Sequence, residues 1–143
     1  MEFFVYSRHA IETLPPHDVP HVVISITTTA EDVARIPQNE HCRGVLRLWF
    51  RDVDQVSEQH PEETLFRPEH AKRIWELVRA HRAEIERVLV HCDAGMCRSP
   101  AVAAAIARAL GEDDEPFFRR YMPNRRVYRM LLAEHEADEA LAR

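Results

Sequence analysis

The stretch Val88–Ala103, VLVHCDAGMCRSPAVA, limits the possible folds more than any other part of the chain. A β-branched run ends at His91, five residues separate Cys92 from Arg98, and Ser99–Leu110 is alanine-rich with Gly111 just beyond it. That pattern predicts a buried strand, a tight loop and a helix with a glycine stop. Further strands are expected at Val22–Ile26 (VVISI), at Val45–Phe50 (VLRLWF) opened by Gly44, and at an edge over Phe3–Tyr6. Between them, Pro68–His81 carries Ala71, Ile74, Trp75, Leu77 and Val78 at helical spacing, with Pro68 suited to a first turn. The tail, Asp113–Ala142, reads as two helices broken at Pro123, the second capped by Asn124 and with an apolar face that includes Val127, Leu131 and Leu132. Strands alternating with helices imply an α/β fold, a three-layer sandwich with a central, largely parallel sheet of four to five strands flanked by helices.

A length of 143 residues suits one domain, 1–143. An apolar fraction of 45% beside 30% charged residues is that of an ordinary globular protein. The longest mostly apolar run, Ala101–Leu110, is interrupted by Arg108 and falls short of the roughly 20 residues a membrane crossing needs. Met1–His9 lacks the basic-then-apolar order of a secretory leader, so a cytoplasmic protein with no membrane partner is expected. A net charge of −5 argues against a polyanion binder, and no nucleic-acid partner is expected. Three cysteines make no disulfide framework.

The loop from Asp93 to Arg98 sits where a helix begins. Unpaired backbone N–H groups and the positive end of the helix dipole bind anions there. Asp93, Ala94, Gly95, Met96, Cys97 and Arg98 would therefore line an anion cradle. Gly95 permits the positive φ such a curl tends to need, and Arg98 offers a planar fork for two oxygens of a phosphate. Helix N-termini and nearby cations also favour a thiolate, the nucleophilic form of cysteine, which makes Cys92 the candidate nucleophile. Ser99 is placed to hydrogen-bond the sulfur and help it leave. His91 falls on the opposite face of the strand, better suited to organising the site than to acting as a base.

HCDAGMCRS, His91–Ser99, resembles the HCxxGxxR[ST] signature of the cysteine-dependent phosphatases. The wider layout is similar to compact dual-specificity phosphatases, above all the small bacterial and phage forms whose loops read like HCxAGxSRS. The resemblance covers about Val22–Leu132, including VLRLWFRD and MPNRRVYRMLL. It implies a phosphatase-type phosphate loop between strand and helix, with hydrolysis of phosphate monoesters through a cysteinyl-phosphate and no metal or organic cofactor. It also implies a general acid after the strand that precedes the long helix. Asp52, 40 residues before Cys92, fits that position, and Asp54 competes. Pro123-Asn124 resembles the family's Pro-Asn, whose asparagine supports the phosphate loop. Where the family has serine or glycine before the arginine, this chain has Cys97. The string CDAGMCRSP is similar to the low-molecular-weight phosphatases, which implies a reversible Cys92–Cys97 disulfide, although a small residue filling a serine-sized space explains Cys97 equally well.

The expected partner is a phosphorylated protein or a small phosphate ester. Rival readings are a phosphatase of nucleotides, RNA 5′ ends or inositol phosphates, and a phosphate-binding module without turnover. His41-Cys42 and His91-Cys92 suggest zinc only faintly, since neither CxxC nor HxxxH spacing accompanies them. The Arg119-Arg120 and Arg125-Arg126 pairs read as a solvated face, or as a basic flank of the pocket.

Overall fold

A computed structural model describes residues 1–142. The elements run β1 (Glu2–Tyr6), α1 (Arg8–Thr13), β2 (His21–Thr27), β3 (Cys42–Trp49), α2 (Pro68–His81), β4 (Arg87–His91), α3 (Arg98–Ala109), α4 (Glu115–Arg120) and α5 (Arg125–Ala142). A single 3-10 turn, Glu62–Thr64, interrupts the long connection between β3 and α2. The strand order is β1-β4-β2-β3 and every pairing is parallel. All seven residues of β2 are buried, which is why its sequence is nearly continuous in apolar residues rather than alternating.

The two faces of the sheet are covered unequally. On one side Val22, Ile24, Ile26, Val88 and Val90 meet Ala71, Ile74, Trp75 and Val78 of α2, the alanines of α3, and Val127 and Leu131 of α5. Ala101 and Ala103–Ala105 are wholly buried, so the middle of α3 is apolar on all sides, and its small side chains allow close approach to sheet and α5 together. Trp75 fixes α2 against α5 by donating its indole N–H to the Leu131 carbonyl at 2.9 Å. The other face, around Val23 and Leu89, is covered by Ile11 of α1, by residues 14–17 that follow it, and by Ala34 and Ile36 of a non-helical segment. The predicted three-layer sandwich therefore holds, with one thick helical layer and one thin layer.

Differences from the sequence reading are local. Gly44 lies inside β3, which starts at Cys42, and pairs with Val22 beside a register shift. Helix α1 was not anticipated: it is six residues long, buries only Ile11, and depends on Ser7, whose hydroxyl accepts the Ala10 N–H at 3.1 Å. No helix among the described residues is long and apolar enough to cross a membrane.

The register puts Tyr6 beside His91 and Thr27 beside Trp49, so the carboxyl ends of all four strands share one edge. In open parallel sheets that edge is where ligands bind.

Candidate active site

Four strand ends and three helix starts supply the residues at this edge. Cys92 follows β4 and is 2% exposed, with its Sγ 3.1 Å from the Ser99 Oγ. The chain then curls through Asp93–Cys97 into α3. Gly95 has φ +72°, and a Cβ there would stand 2.8 Å from the Ser7 nitrogen and the Tyr6 carbonyl carbon. Glycine is thus required twice, for the left-handed conformation and for contact with the backbone that links β1 to α1. The Arg8 N–H donates to the Asp93 carbonyl at 3.0 Å and holds that corner down.

Arg98 is 6% exposed. Its Nη1 donates to Thr28 Oγ1 at 3.1 Å and to the Phe50 carbonyl at 2.9 Å, and Nη2 donates to Asp93 Oδ2 at 3.1 Å. A guanidinium has five N–H donors. Three are engaged, while the buried Nε has no protein partner, so Nε and one Nη2 hydrogen remain for an oxyanion.

Asp52 lies just past β3. The Asn124 side chain donates its amide N–H to Asp52 Oδ1 at 2.9 Å, and its own Oδ1 accepts the Val127 N–H at 3.1 Å as the cap of α5. The Asn124 backbone N–H bonds the Cys97 carbonyl at 2.9 Å, and Met122 N–H bonds the Met96 carbonyl at the same distance. One asparagine thus ties together the loop, the acid and the last helix. Asp54 has no such tether among the described residues; it lines a cleft of about 570 Å³ with Asp52, Val53, Cys97, Phe118, Tyr121, Met122 and Arg125. Cys92 is not part of that wall, and lies beneath the loop.

His91 is buried. Its Nδ1 lies 3.1 Å from the Cys92 carbonyl and its Nε2 2.6 Å from the Ser25 hydroxyl. Burial pushes this imidazole below its ordinary range. A neutral ring with the proton on Nδ1 satisfies both contacts, donating to the carbonyl and accepting from Ser25. The Cys97 thiol is pushed up to about 11, first by burial and then by the negative charge of Asp52 beside it. Cys42, Cys92 and Cys97 are all free thiols in this structure. His41-Cys42 and His91-Cys92 do not converge. The register aligns Cys42, through His21, with Arg87, four residues or roughly 13 Å along the sheet from His91.

Every candidate residue lies at this one edge: Cys92, Arg98, Ser99, Asp52, His91, Asn124 and the loop Asp93–Cys97. Thr28, Phe50 and Ser25, which fix Arg98 and His91, were not foreseen. A threonine just past a strand and a backbone carbonyl such as that of Phe50 leave no distinctive mark in the sequence.

Solved structures that share this arrangement of a parallel sheet, loop and helices are dual-specificity phosphatases. Human DUSP28 superposes with a TM-score of 0.62 at 18% identity, covering 97% of this chain and 94% of its own. The human tyrosine phosphatase-like serine/threonine/tyrosine-interacting protein gives 0.60 at 20% identity, covering 98% and 92%. PTPMT1 gives 0.58 at 16% identity, covering 99% and 94%. The chain has the dual-specificity phosphatase fold. No protein-family model and no curated protein matches its sequence.

Proposed function

We propose that this protein is a cysteine-dependent phosphatase that hydrolyses phosphate monoesters of the protein tyrosine or dual-specificity kind. The observation that carries the reading is convergence. Arg98 bonds the Phe50 carbonyl and Asn124 bonds Asp52, so an acid 40 positions upstream is tethered to the loop that holds Cys92.

In the first step the Cys92 thiolate attacks phosphorus while the ester P–O bond breaks. The loop N–H groups and the free Arg98 donors take up the charge on the transferring oxygens, and Asp52 gives its proton to the departing oxygen. In the second step Asp52 accepts a proton from water, which attacks the phosphocysteine. The P–S bond breaks and Ser99 donates its hydroxyl hydrogen to the returning thiolate, 3.1 Å away. His91 acts by holding the Cys92 carbonyl, not by proton transfer. No step calls for a metal or organic cofactor.

Hydrolysis of an aryl phosphate in EDTA and reductant tests this. Turnover by the wild type that disappears in Cys92→Ser is the expected result, and turnover retained by Cys92→Ser overturns it. Absence of wild-type turnover from pH 5 to 8 would favour a phosphate-binding module. A non-protein phosphate ester is the second reading, favoured by the likeness to PTPMT1 in complex with PI(5)P, which has a TM-score of 0.56 at 16% identity.

Oxidation belongs to the same proposal. Peroxide would convert the Cys92 thiolate to a sulfenic acid with release of hydroxide. The Cys97 sulfur would then displace the oxygen as water and form a disulfide. A thiol held near 11 is a slow attacker at neutral pH, so capture should quicken as pH rises. Mass spectrometry that finds only sulfinic acid on Cys92, at any pH, sinks the disulfide.

A further inference from the structure

Charges on α2 and α4 follow the helix dipole. Glu69 and Glu115 occupy their first turns, and Arg79, His81, Arg119 and Arg120 their last. Helix α5 does the reverse, opening on Arg125 and Arg126 with no acid in its first turn, and Arg129 follows one turn later. Cations at that end oppose the dipole, and Arg125 and Arg129 are like charges at i,i+4. None of the three forms an ion pair among the described residues. Arg126 donates its Nε to the Phe66 carbonyl at 2.8 Å, while Arg125 and Arg129 are exposed. The other arginine pair near the cleft is engaged, Arg119 with Glu115 at 3.6 Å and Arg120 over the Tyr121 ring.

These side chains are gathered into a concavity rather than spread over a face. Arg125, Arg126 and Arg129 line a hollow of about 300 Å³ with Asp54, Gln55 and Met130. It shares Asp54 and Arg125 with the larger cleft beside the phosphate loop. One carboxylate against three guanidinium groups leaves it positive, on a chain whose net charge is −5.

We infer that Arg125 and Arg129, backed by Arg126, form a second anion subsite, and that the substrate is a phosphopeptide with an acidic side chain close to its phosphorylated residue. This rests on the phosphatase reading and specifies its substrate class. Arg125 directly follows Asn124, which touches the loop, and Arg129 lies a further four residues or about 6 Å along the helix. Side chains two apart on an extended peptide are spaced roughly 7 Å, so an acid near the phosphorylated residue can lie toward the start of α5 while its phosphate sits in the loop. The trough also has an apolar wall, Phe118, Tyr121 and Met122, suited to a peptide's intervening side chains.

Anisotropy with Cys92→Ser protein in reductant tests the subsite without needing turnover. The probes are phosphotyrosine and phosphothreonine peptides carrying either Glu or Ala two residues to each side. Two rim ion pairs should give the Glu peptides about fivefold tighter binding at low salt, and the advantage should shrink at high salt. Adding Arg125→Glu and Arg129→Glu should invert the preference while raising the melting temperature, because an acid then occupies the first turn of α5. Arg129→Gln, a milder change, should narrow the preference without inverting it. Equal binding of Glu and Ala peptides overturns the inference. So does a preference indifferent to these variants, binding of neither peptide, or a preference confined to a small bisphosphate. Aryl phosphate turnover by the wild type, measured alongside, shows separately whether the phosphatase reading fails.

Discussion

The floor of the site and its rim are built by opposite means. On the floor nearly every polar group is committed: Cys92 to Ser99, Arg98 to Thr28, Phe50 and Asp93, His91 to Ser25 and its neighbour's carbonyl. The rim presents Met96, Phe118 and Met122 at 42%, 44% and 74% exposure, beside Arg125 and Arg129, which form no ion pair among the described residues. A floor whose side chains are each tied down has one geometry, which reaction chemistry needs, and its few free donors remain for an oxyanion. An unsaturated rim leaves its binding capacity for something outside the chain. Changes to the floor should therefore lower rate and stability together, and changes at the rim should shift selectivity.

The largest expected effect comes from the acid that joins the two regions. Asp52→Asn keeps the bond from Asn124 and removes the exchangeable proton, so kcat on an aryl phosphate should fall by about 10²- to 10⁴-fold. Asp54→Asn should fall far less; if the two variants swapped behaviour, the acid would be Asp54. Next comes Gly95→Ala, which forces a left-handed alanine against backbone 2.8 Å away. Strain of roughly 1–3 kcal/mol should appear as a melting point lowered by several degrees, with activity lost. Gly111→Ala is the control, since Gly111 has φ +83° but nothing within 4 Å, so only the conformational cost remains.

A smaller effect separates the two duties of Asn124. Asn124→Asp preserves the cap on α5 but removes the donor to Asp52 and sets a like charge beside it. Calorimetry should find stability within about 1 kcal/mol of wild type, and kinetics a kcat reduced about tenfold. The smallest effect is on pH. Burial lowers the imidazoles of His91, His70 and His17, and His70 accepts the Arg67 N–H at 2.9 Å, which a protonated ring cannot do. Below pH about 6.5 the unfolded chain binds more protons than the folded one. Stability should be full above that pH and decline as pH falls below it. A melting temperature flat from pH 7.5 to 5 would contradict it.

How far the sequence could be read follows the same division. The strand, loop and helix around Cys92 were legible because their signals are contiguous: a β-branched run, a glycine where φ is positive, an alanine-rich stretch with a glycine stop. Asn124 was legible as a helix cap, but its tie to Asp52, and Asp52 itself, were reached only through resemblance to a family, since nothing local marks their contact across 72 positions. The packing of Gly95 on Tyr6–Ser7, the anchoring of Arg98 by the Phe50 carbonyl and the Ser25–His91 bond join distant segments, often through backbone atoms. Helix α1 escaped notice because one buried residue, Ile11, makes no periodicity.

The position of β1 has a consequence for synthesis. Its only neighbour in the sheet is β4, with Glu2 paired to Arg87 about 85 positions later. At translation rates of about 5–20 residues per second, β1 must wait several seconds for its partner to emerge. Until then β2 and β3, adjacent in sheet and sequence, can pair while the peptide that will brace Gly95 stays unattached. The nascent chain thus acquires its nucleophile and the support beneath it in one late closure.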